Sequence, residues 1–178
     1  MAQPHDIIAF WTNAGEAAWF KKDAAFDARC AAFEAQHHAA ARGELDAWRS
    51  DAEGALALVL LLDQIPRNIF RGSAHAFATD GLARTIALEA IARGHDHATP
   101  MPLRLFFYLP LEHAEDIALQ NRCVDLVRAA GDESYLRYAQ LHKDIIARFN
   151  RFPHRNAALG RESTPEENAF LAEGGFAG

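Results

Sequence analysis

Six polar residues stand within apolar, helix-forming segments of this chain, at positions where leucine would be expected. A polar side chain buried between helices loses free energy unless it is hydrogen-bonded or belongs to a binding site. The acid, amide, guanidinium and imidazole groups found here suit proton transfer and the binding of charged groups. The six residues are Asp63, Gln64, Arg67, His113, Gln120 and His142.

Histidines supply the candidate acid or base chemistry. An imidazole ordinarily changes its charge near neutral pH, so it can donate or accept a proton under physiological conditions. A neighbouring carboxylate can orient the ring and set its tautomer. The candidate catalytic residues are His113, His142 and His154, and the candidate orienting carboxylates are Asp63, Glu112 and Asp116.

Arginines supply the candidate anion-binding groups. The planar guanidinium binds carboxylate or phosphate through two parallel hydrogen bonds. Arg67, Arg71, Arg155 and Arg161 are therefore predicted to hold an anionic small molecule or a peptide terminus. The candidate ligand-binding residues are Asp63, Gln64, Arg67, Asn68, Arg71, Glu112, Asp116, Gln120, Arg155, Asn156, Arg161 and Glu162.

Two other functions stay open at this stage. The polar residues can form a purely structural network in a helical scaffold that binds a protein segment. Metal-dependent hydrolysis would use His113, Asp116, His142 and His154 as ligands. The His-x-x-Asp spacing is a weak signal, however, and di-iron bundles need a pair of Glu-x-x-His motifs that is not found. We predict no metal and no cofactor, and whether the protein is an enzyme stays open.

Composition argues against several classes of partner. The formal net charge of −6 gives no general attraction to nucleic acid or to an anionic membrane. The longest wholly apolar run, residues 55–62, is far too short to span a bilayer. A cysteine or serine nucleophile is not expected, because no activating motif lies near Cys30, Cys123 or Ser163. We expect a cytoplasmic, soluble protein that binds neither nucleic acid nor membrane. Composition does not reveal its oligomeric state.

The elements that must position these residues are helices. Proline and glycine fall between segments of helical periodicity, and no alternating strand pattern occurs, so we predict one all-α domain over residues 1–178 with about seven to nine helices. Pro66 is expected to bend or end the third helix. The predicted helices are Asp6 to Thr12, Asp23 to the residue before Gly43, Gly54 to Leu62, Thr79 to Ala92, Pro102 to Leu109, Leu111 to Ala130, Glu133 to Phe149 and Pro165 to Ala172.

Helical spacing predicts which of the polar residues meet. On a continuous helix from Leu111 to Ala130, His113 and Gln120 share a face with Asp116 at its border. Asp63 and Arg67 lie one turn apart and are predicted to pair. We further predict that residues from three helices converge in space, together with the loop 151–163: Asp63, Arg67, His113, Gln120 and His142.

Several irregular runs of residues together match the pattern of a known family. They are Phe10-Trp11, Trp19-Phe20, Gly43-Glu44-Leu45 before Trp48, and the runs Leu61 to Gly72, Ala76 to Asp80, Tyr108 to Asp116, His142 to Ile146, Arg148 to Asn156 and Leu159 to Glu167. On these residues nearly the whole chain resembles a bacterial family of proteins, domain of unknown function nine hundred and twenty-four (DUF924). The resemblance implies stacked antiparallel helix pairs, as in tetratricopeptide-like folds, and it implies no reaction or cofactor. It leads us to expect glycine after Phe149, where this chain has Asn150.

Overall fold

The computed structural model describes residues 2–176, which form helices and turns with no strand among them, and this confirms the all-α prediction. The α-helices are α1 (Pro4–Ala14), α2 (Glu16–Trp19), α3 (Ala24–Cys30), α4 (Glu34–Ala41), α5 (Ala52–Val59), α6 (Ile65–Ile69), α7 (Asp80–Ala92), α8 (His95–Ala98), α9 (Leu109–Glu112), α10 (Ile117–Ala130), α11 (Glu133–Phe149) and α12 (Pro165–Ala172). Short 3₁₀ turns cover Ala31–Phe33, Asp46–Ser50, Ala74–Phe77, Leu103–Phe107 and Pro153–Arg155.

The chain divides into two compact units. The first comprises the residues up to Arg71 together with His75–Pro110, and the second comprises Gly72–Ala74 and the residues from Leu111 onwards. Each unit has its own buried residues and is described by itself. The single-domain organisation, the tetratricopeptide-like stacking and the convergence of Asp63 and Arg67 with the later histidines stay predictions.

The core of the first unit is aromatic. Trp11 of α1 is fully buried, and its ring lies edge-on to Phe106 with centroids 5.6 Å apart. The indole Nε1 of Trp19 donates to the carbonyl of Trp11 over 2.7 Å, which satisfies a polar atom that burial would otherwise leave costly. These contacts give the aromatic pairs of the sequence a structural role.

Helix α5 begins against the 3₁₀ turn that precedes it, and Gly54 makes this approach possible. The carboxylate of Asp51 caps the helix by accepting from the Gly54 N–H over 2.9 Å. A Cβ atom on Gly54 would lie 2.1 Å from the carbonyl oxygen of Trp48, well inside van der Waals contact. Glycine is therefore required here for space rather than for backbone freedom.

We expect Gly54→Ala to lower the free energy of unfolding by about 2 kcal/mol, because the backbone of Trp48 must move to admit the methyl group. The matched control is Gly81→Ala in α7, where the nearest atom to a new Cβ would be Arg84 Nη2 at 3.9 Å. That change should stabilise by about 0.5–1 kcal/mol through helix propensity. Urea unfolding of both variants measures the difference, and equal effects would contradict the steric account.

The helix of the first unit continues past Pro66, where the sequence predicted a bend or an end. A π-helical turn over Leu60–Gln64 carries the chain from α5 into α6. Because Pro66 has no N–H, the carbonyls that precede it lose a backbone donor. Side chains replace that donor: His37 Nδ1 lies 2.8 Å from the Leu61 carbonyl, and Thr79 Oγ1 donates to the Leu62 carbonyl over 2.5 Å.

The second unit is built on the pair α10 and α11, which pack together and are joined by a short turn through Gly131. The bounds of α11 and α12 are those predicted. The predicted continuous helix from Leu111 to Ala130 is wrong, since α9 ends at Glu112 and α10 begins at Ile117. The physical reason is Asp116, whose carboxylate caps α10 by accepting from the N–H groups of Ala118 and Leu119.

Asn150 stands where glycine was expected, and its backbone conformation at the end of α11 explains why. Asn150 has a φ of +58°, in the left-handed region, and its N–H donates to the Ile146 carbonyl over 2.9 Å. Asparagine tolerates this conformation better than most residues do. Asn150 therefore ends α11 as glycine would.

Candidate functional site

The polar residues of the first unit centre on Asp63, whose side chain is fully buried. Gln64 Nε2 donates to Asp63 Oδ2 over 2.6 Å, and Arg67 Nη1 lies 3.3 Å from Asp63 Oδ1. Arg67 also binds Asp80 through both terminal nitrogens, each over 2.9 Å. Burial lowers the pKa of Arg67, but Asp63 and Asp80 outweigh it and hold that pKa above its ordinary value. The predicted pairing of Asp63 with Arg67 is confirmed.

The same network continues to the surface of the first unit. Asn68 Nδ2 donates to the Gln64 carbonyl over 3.1 Å, and Arg71 Nη2 donates to Asn68 Oδ1 over 3.3 Å. Arg71 then binds Asp27 through Nε and Nη2, over 2.9 and 2.7 Å. The guanidinium groups of Arg67 and Arg71 thus bind carboxylates of the protein itself. This favours a structural role for the polar residues of the first unit.

The second unit brings together the three histidines proposed for acid or base chemistry, around two phenylalanines. The ring centroids of His113 and His142 lie 6.5 Å apart. Phe152 lies 5.5 Å from His142 and 5.6 Å from His154, centroid to centroid. Phe176 lies 4.6 Å from His142 and 5.2 Å from His154. We call these five residues, with Glu112 and Arg155, the histidine cluster.

His142 has a defined tautomer. Its Nδ1 lies 2.8 Å from the carbonyl of Tyr138, one turn earlier in α11, and a carbonyl can accept but never donate. Nδ1 therefore carries the proton, and Nε2 is the basic nitrogen of the neutral ring. The carboxylate of Glu112 lies 3.4 Å from the same Nδ1, and both side chains are buried. Glu112 is the carboxylate that orients His142, one of the three candidates for that role.

The break between α9 and α10 is held by Gln120, which explains its place among apolar residues. Gln120 is fully buried, and its Nε2 donates to the carbonyls of Glu112 and Ala114 over 2.5 and 2.8 Å. These carbonyls lie at the end of α9, where the helix no longer supplies backbone donors. Gln120 thus fixes the backbone of Glu112 and acts on the site through it.

Cys123 lies near Glu112 but is unsuited to nucleophilic chemistry. Burial, followed by the charge of Glu112, raises the pKa of the Cys123 thiol well above its ordinary value. A thiol attacks as its thiolate, so this environment suppresses reactivity. In the first unit, burial and the carboxylate of Asp27 likewise raise the pKa of Cys30 to about 12. Both cysteines are buried, and neither forms a disulfide within residues 2–176.

Arg155 places a buried cation beside the histidines. Its Nη1 donates to the carbonyl of His113 over 3.1 Å, and its guanidinium carbon lies 4.5 Å from the ring centroid of Phe152. The residue is 6% exposed. Stacking on an aromatic face orients the guanidinium plane.

Two carboxylates hold the loop that carries His154 and Arg155, and sequence reasoning missed the first of them. Glu115 Oε1 accepts from the Phe152 N–H over 2.8 Å, and Arg161 binds Glu115 through two nitrogens over 2.7 and 3.0 Å. Burial raises the pKa of Glu115, but hydrogen bonds from Arg161 and Phe152 outweigh it and lower that pKa overall. On the predicted continuous helix Glu115 would point away from His113. The break before α10 brings its carboxylate to the loop that carries His154 and Arg155.

The second carboxylate is Glu167 in α12. It accepts from Arg151 Nε and Nη2 over 2.6 and 2.8 Å, and from Asn156 Nδ2 over 3.2 Å. It also accepts from the N–H of Thr164 over 2.8 Å, which completes a capping box at the start of α12. Hydrogen bonds from Arg151 are the main cause that lowers the pKa of Glu167 to about 2.

Two predicted ligand-binding residues have other roles. Asp116 is the exposed N-cap of α10, and its bonds to Ala118 and Leu119 replace the predicted bond to His113. Glu162 contributes its backbone carbonyl, which accepts from Arg151 Nη2 over 2.9 Å, while the residue itself is exposed. Within residues 2–176 no group of three His, Cys, Asp or Glu side chains is placed to hold a metal ion.

These features define the class: an all-helical protein in which each compact unit holds its own buried polar network, and the second network contains histidines. None of the described helices is long and apolar enough to cross a membrane. The sequence pattern of the family described as bacterial protein of unknown function, DUF924, matches residues 7–175. The chain belongs to this family, as the resemblance implied.

A solved structure supports the fold. The chain is similar to the protein of unknown function ATU0120 from Agrobacterium tumefaciens, with 57% sequence identity and a TM-score of 0.92. The similarity covers 96% of this chain and 97% of that one. No protein among those with curated descriptions matches the chain.

Proposed function

We propose that the histidine cluster of the second unit binds an anionic small molecule or a peptide terminus and transfers a proton to or from it. The observation that carries the proposal is that His142, His154 and the buried guanidinium of Arg155 lie around Phe152, with the ring of His113 6.5 Å from that of His142. Apolar replacement of a buried ion pair is often neutral or stabilising, so helix packing alone does not require such a set.

In this proposal the group that binds the anion is the guanidinium of Arg155. Its Nη1 donates to the His113 carbonyl and its guanidinium lies over the Phe152 ring, so the group is held beside the histidines. A carboxylate or phosphate would accept charge-assisted hydrogen bonds from this guanidinium in a place where water screens little. The carboxylates Glu115 and Glu167 hold the loop, so the position of Arg155 is fixed before a ligand arrives.

The proton-transfer group in this proposal is His142. Its Nδ1–H is held by the Tyr138 carbonyl, and the neutral ring therefore accepts a proton at Nε2. The carboxylate of Glu112, 3.4 Å from Nδ1, stabilises the imidazolium that results. His113, whose ring lies 6.5 Å from that of His142, and His154, which contacts the same two phenylalanines, would exchange protons with further ligand groups.

Thermal-shift and calorimetric titration with inorganic phosphate, acetate and a panel of carboxylated and phosphorylated metabolites tests the proposal. We expect at least one anion to stabilise the wild type and Arg155→Met to lose roughly tenfold or more in affinity for it. The control is Arg148→Met, because Arg148 also lies over a phenylalanine ring, 4.6 Å from the Phe149 centroid, but pairs with the exposed Glu166. Equal binding by both variants would sink the proposal.

A scaffold that binds a protein segment is the second candidate, and two exposed apolar residues favour it. Tyr138 and Leu141 of α11 are 56% and 40% exposed. Apolar side chains on one helical face suit the docking of another chain. The scaffold predicts that no anion in the panel stabilises the wild type, so the same titration separates the two functions.

A further inference from the structure

Helix α11 presents charged and apolar side chains to solvent on the side opposite its buried residues. The buried side is formed by Ala139, His142, Ile145 and Ile146. On the other side, spacings of four, four, three and four residues place five exposed residues within about 80° of the helix surface. We call these five residues, together with the exposed Tyr138 that borders them, the α11 face; in chain order they are Glu133, Arg137, Leu141, Asp144 and Arg148.

The charges near the middle of the α11 face are not neutralised within the chain. Glu133 and Arg137 lie one turn apart, yet neither forms an ion pair with another of residues 2–176. Asp144 accepts a hydrogen bond from the uncharged amide of Gln140 over 2.8 Å. Arg148 differs, since its Nη2 lies 2.9 Å from the exposed Glu166. Arg137 and Asp144 therefore remain available to groups of another molecule.

The order of the charges makes the α11 face complementary to a reversed copy of itself. From its N-terminal end the order is acidic, basic, apolar, acidic and basic. Arg137 and Asp144 lie equally far from a point just before Leu141, and so do Glu133 and Arg148. A twofold axis at that point therefore places each basic residue opposite an acidic residue of the second copy. A parallel pair in register would place like charges opposite each other.

The apolar residues of the α11 face lie at the same point. In an antiparallel pair the two copies of Leu141 meet beside the twofold axis, and Tyr138 of each copy lies one turn away. Contact would remove these exposed apolar side chains from water. An apolar centre with charged residues around it is the usual arrangement of a protein–protein interface.

We propose that the α11 face is the contact surface between two copies of this chain, which pair antiparallel through α11 about a twofold axis near Leu141. The inference is independent of the proposed function of the histidine cluster. It assigns to a second copy the apolar residues that the scaffold function assigns to a segment of another protein. One helix of 17 residues per copy is about 25 Å long and forms a smaller interface than a standard one. The dimer is therefore reversible, with a Kd on the order of 10 μM at low salt.

Sedimentation equilibrium of the full-length protein between about 1 and 300 μM measures this association. We expect Arg137→Glu to weaken it about tenfold or more, because the introduced carboxylate faces Asp144 of the second copy on both sides of the axis. Asp144→Arg should do the same by facing Arg137. The matched control is Arg122→Glu, because Arg122 is an exposed arginine of α10 that forms no ion pair within residues 2–176. This control should associate as the wild type does.

Mixing the two single variants tests the antiparallel pairing itself. In a mixed pair the introduced carboxylate of one copy faces the introduced guanidinium of the other, while the native Asp144 faces the native Arg137. The mixture should therefore form the dimer that neither variant forms alone. The double variant, Arg137→Glu with Asp144→Arg, should regain the wild-type Kd to within about threefold. Leu141→Ala should weaken the dimer about tenfold.

Far-UV circular dichroism checks that each variant keeps its helices, as expected for changes at exposed positions. A wild type that is monomeric over the whole concentration range overturns the inference. A dimer that Arg137→Glu and Leu141→Ala leave unchanged also overturns it, and so does a mixture of the single variants that fails to associate. Anion binding by the histidine cluster is measured separately, so either proposal can fail without the other.

Discussion

Replacing Asp63 with asparagine should lower the free energy of unfolding by about 4 kcal/mol, because a fully buried carboxylate loses its charge beside Arg67. Gln64 Nε2, which donates to Asp63 Oδ2, would then face an amide whose nitrogen cannot accept. Arg67 keeps Asp80, so the variant should still fold and the loss can be measured by urea unfolding at neutral pH.

Asp27→Asn is the matched control for this experiment. Asp27 also binds an arginine through two hydrogen bonds, but the Arg71 side chain is 38% exposed and that of Asp27 is 20% exposed. Water screens such a pair, and we expect a loss of about 1 kcal/mol or less. Equal losses for Asp63→Asn and Asp27→Asn would show that burial does not set the strength of this network.

The second large effect is expected for Glu167→Gln, at about 3 kcal/mol near neutral pH. The Glu167 carboxylate accepts hydrogen bonds from Arg151, Asn156 and Thr164, and these lower the pKa of Glu167 from 4.5 to about 2. The charged form is therefore the one that the folded state stabilises. Glutamine keeps the shape but removes the charge that all three donors share.

The pH dependence of this effect has a fixed sign. Because the folded-state pKa of Glu167 lies below its ordinary value, its contribution is present above pH 4.5 and is lost as the pH falls towards about 2. Unfolding free energies of wild type and Glu167→Gln should therefore converge over this window. Glu166→Gln, whose side chain is 63% exposed and bound to Arg148, should differ little from wild type at any pH. A gap for Glu167→Gln that persists at pH 2 would contradict the linkage.

The sequence predicted the elements that carry clear local signals. Thr164, Pro165 and Glu167 mark the start of α12, and helical periodicity between Asp132 and Asn150 marks α11. Both helices have the predicted bounds because capping and periodicity act within a few residues. The pairing of Asp63 with Arg67 was predictable for the same reason.

Two helix predictions were wrong for different reasons: the first overlooked a local cap, and in the second tertiary contacts override the local pattern. Asp116 was placed inside a helix, although aspartate caps helices well, and this misplaced Glu115 relative to the loop after α11. Pro66 was expected to interrupt its helix, but His37 and Thr79 are distant in sequence and supply the donors that let the helix continue. No periodicity within the helix itself reports such partners.

The sequence predicted some residues of the histidine cluster and its surroundings but not all of them. His142 was visible as a polar residue in an apolar stripe, and the loop after α11 was visible by its arginines and His154. Glu115 and Phe176 carried no signal, because their contacts with Phe152 and with His142 arise from folding alone. Local pattern also did not predict the partners of two arginines proposed to bind a ligand: Arg161 binds the carboxylate of Glu115, and Arg71 binds that of Asp27.

The most direct measurement of the central claim is the imidazole ¹H–¹⁵N spectrum of the wild type during titration with phosphate and with acetate. We predict that His142 is the Nδ1–H tautomer in the free protein and that the signals of His113, His142 and His154 shift together on binding. The exposed His5 and His97, whose side chains are 69% and 77% exposed, serve as internal controls and should not follow that curve. Shifts confined to the exposed histidines, or no saturable shift at His142, would contradict the account.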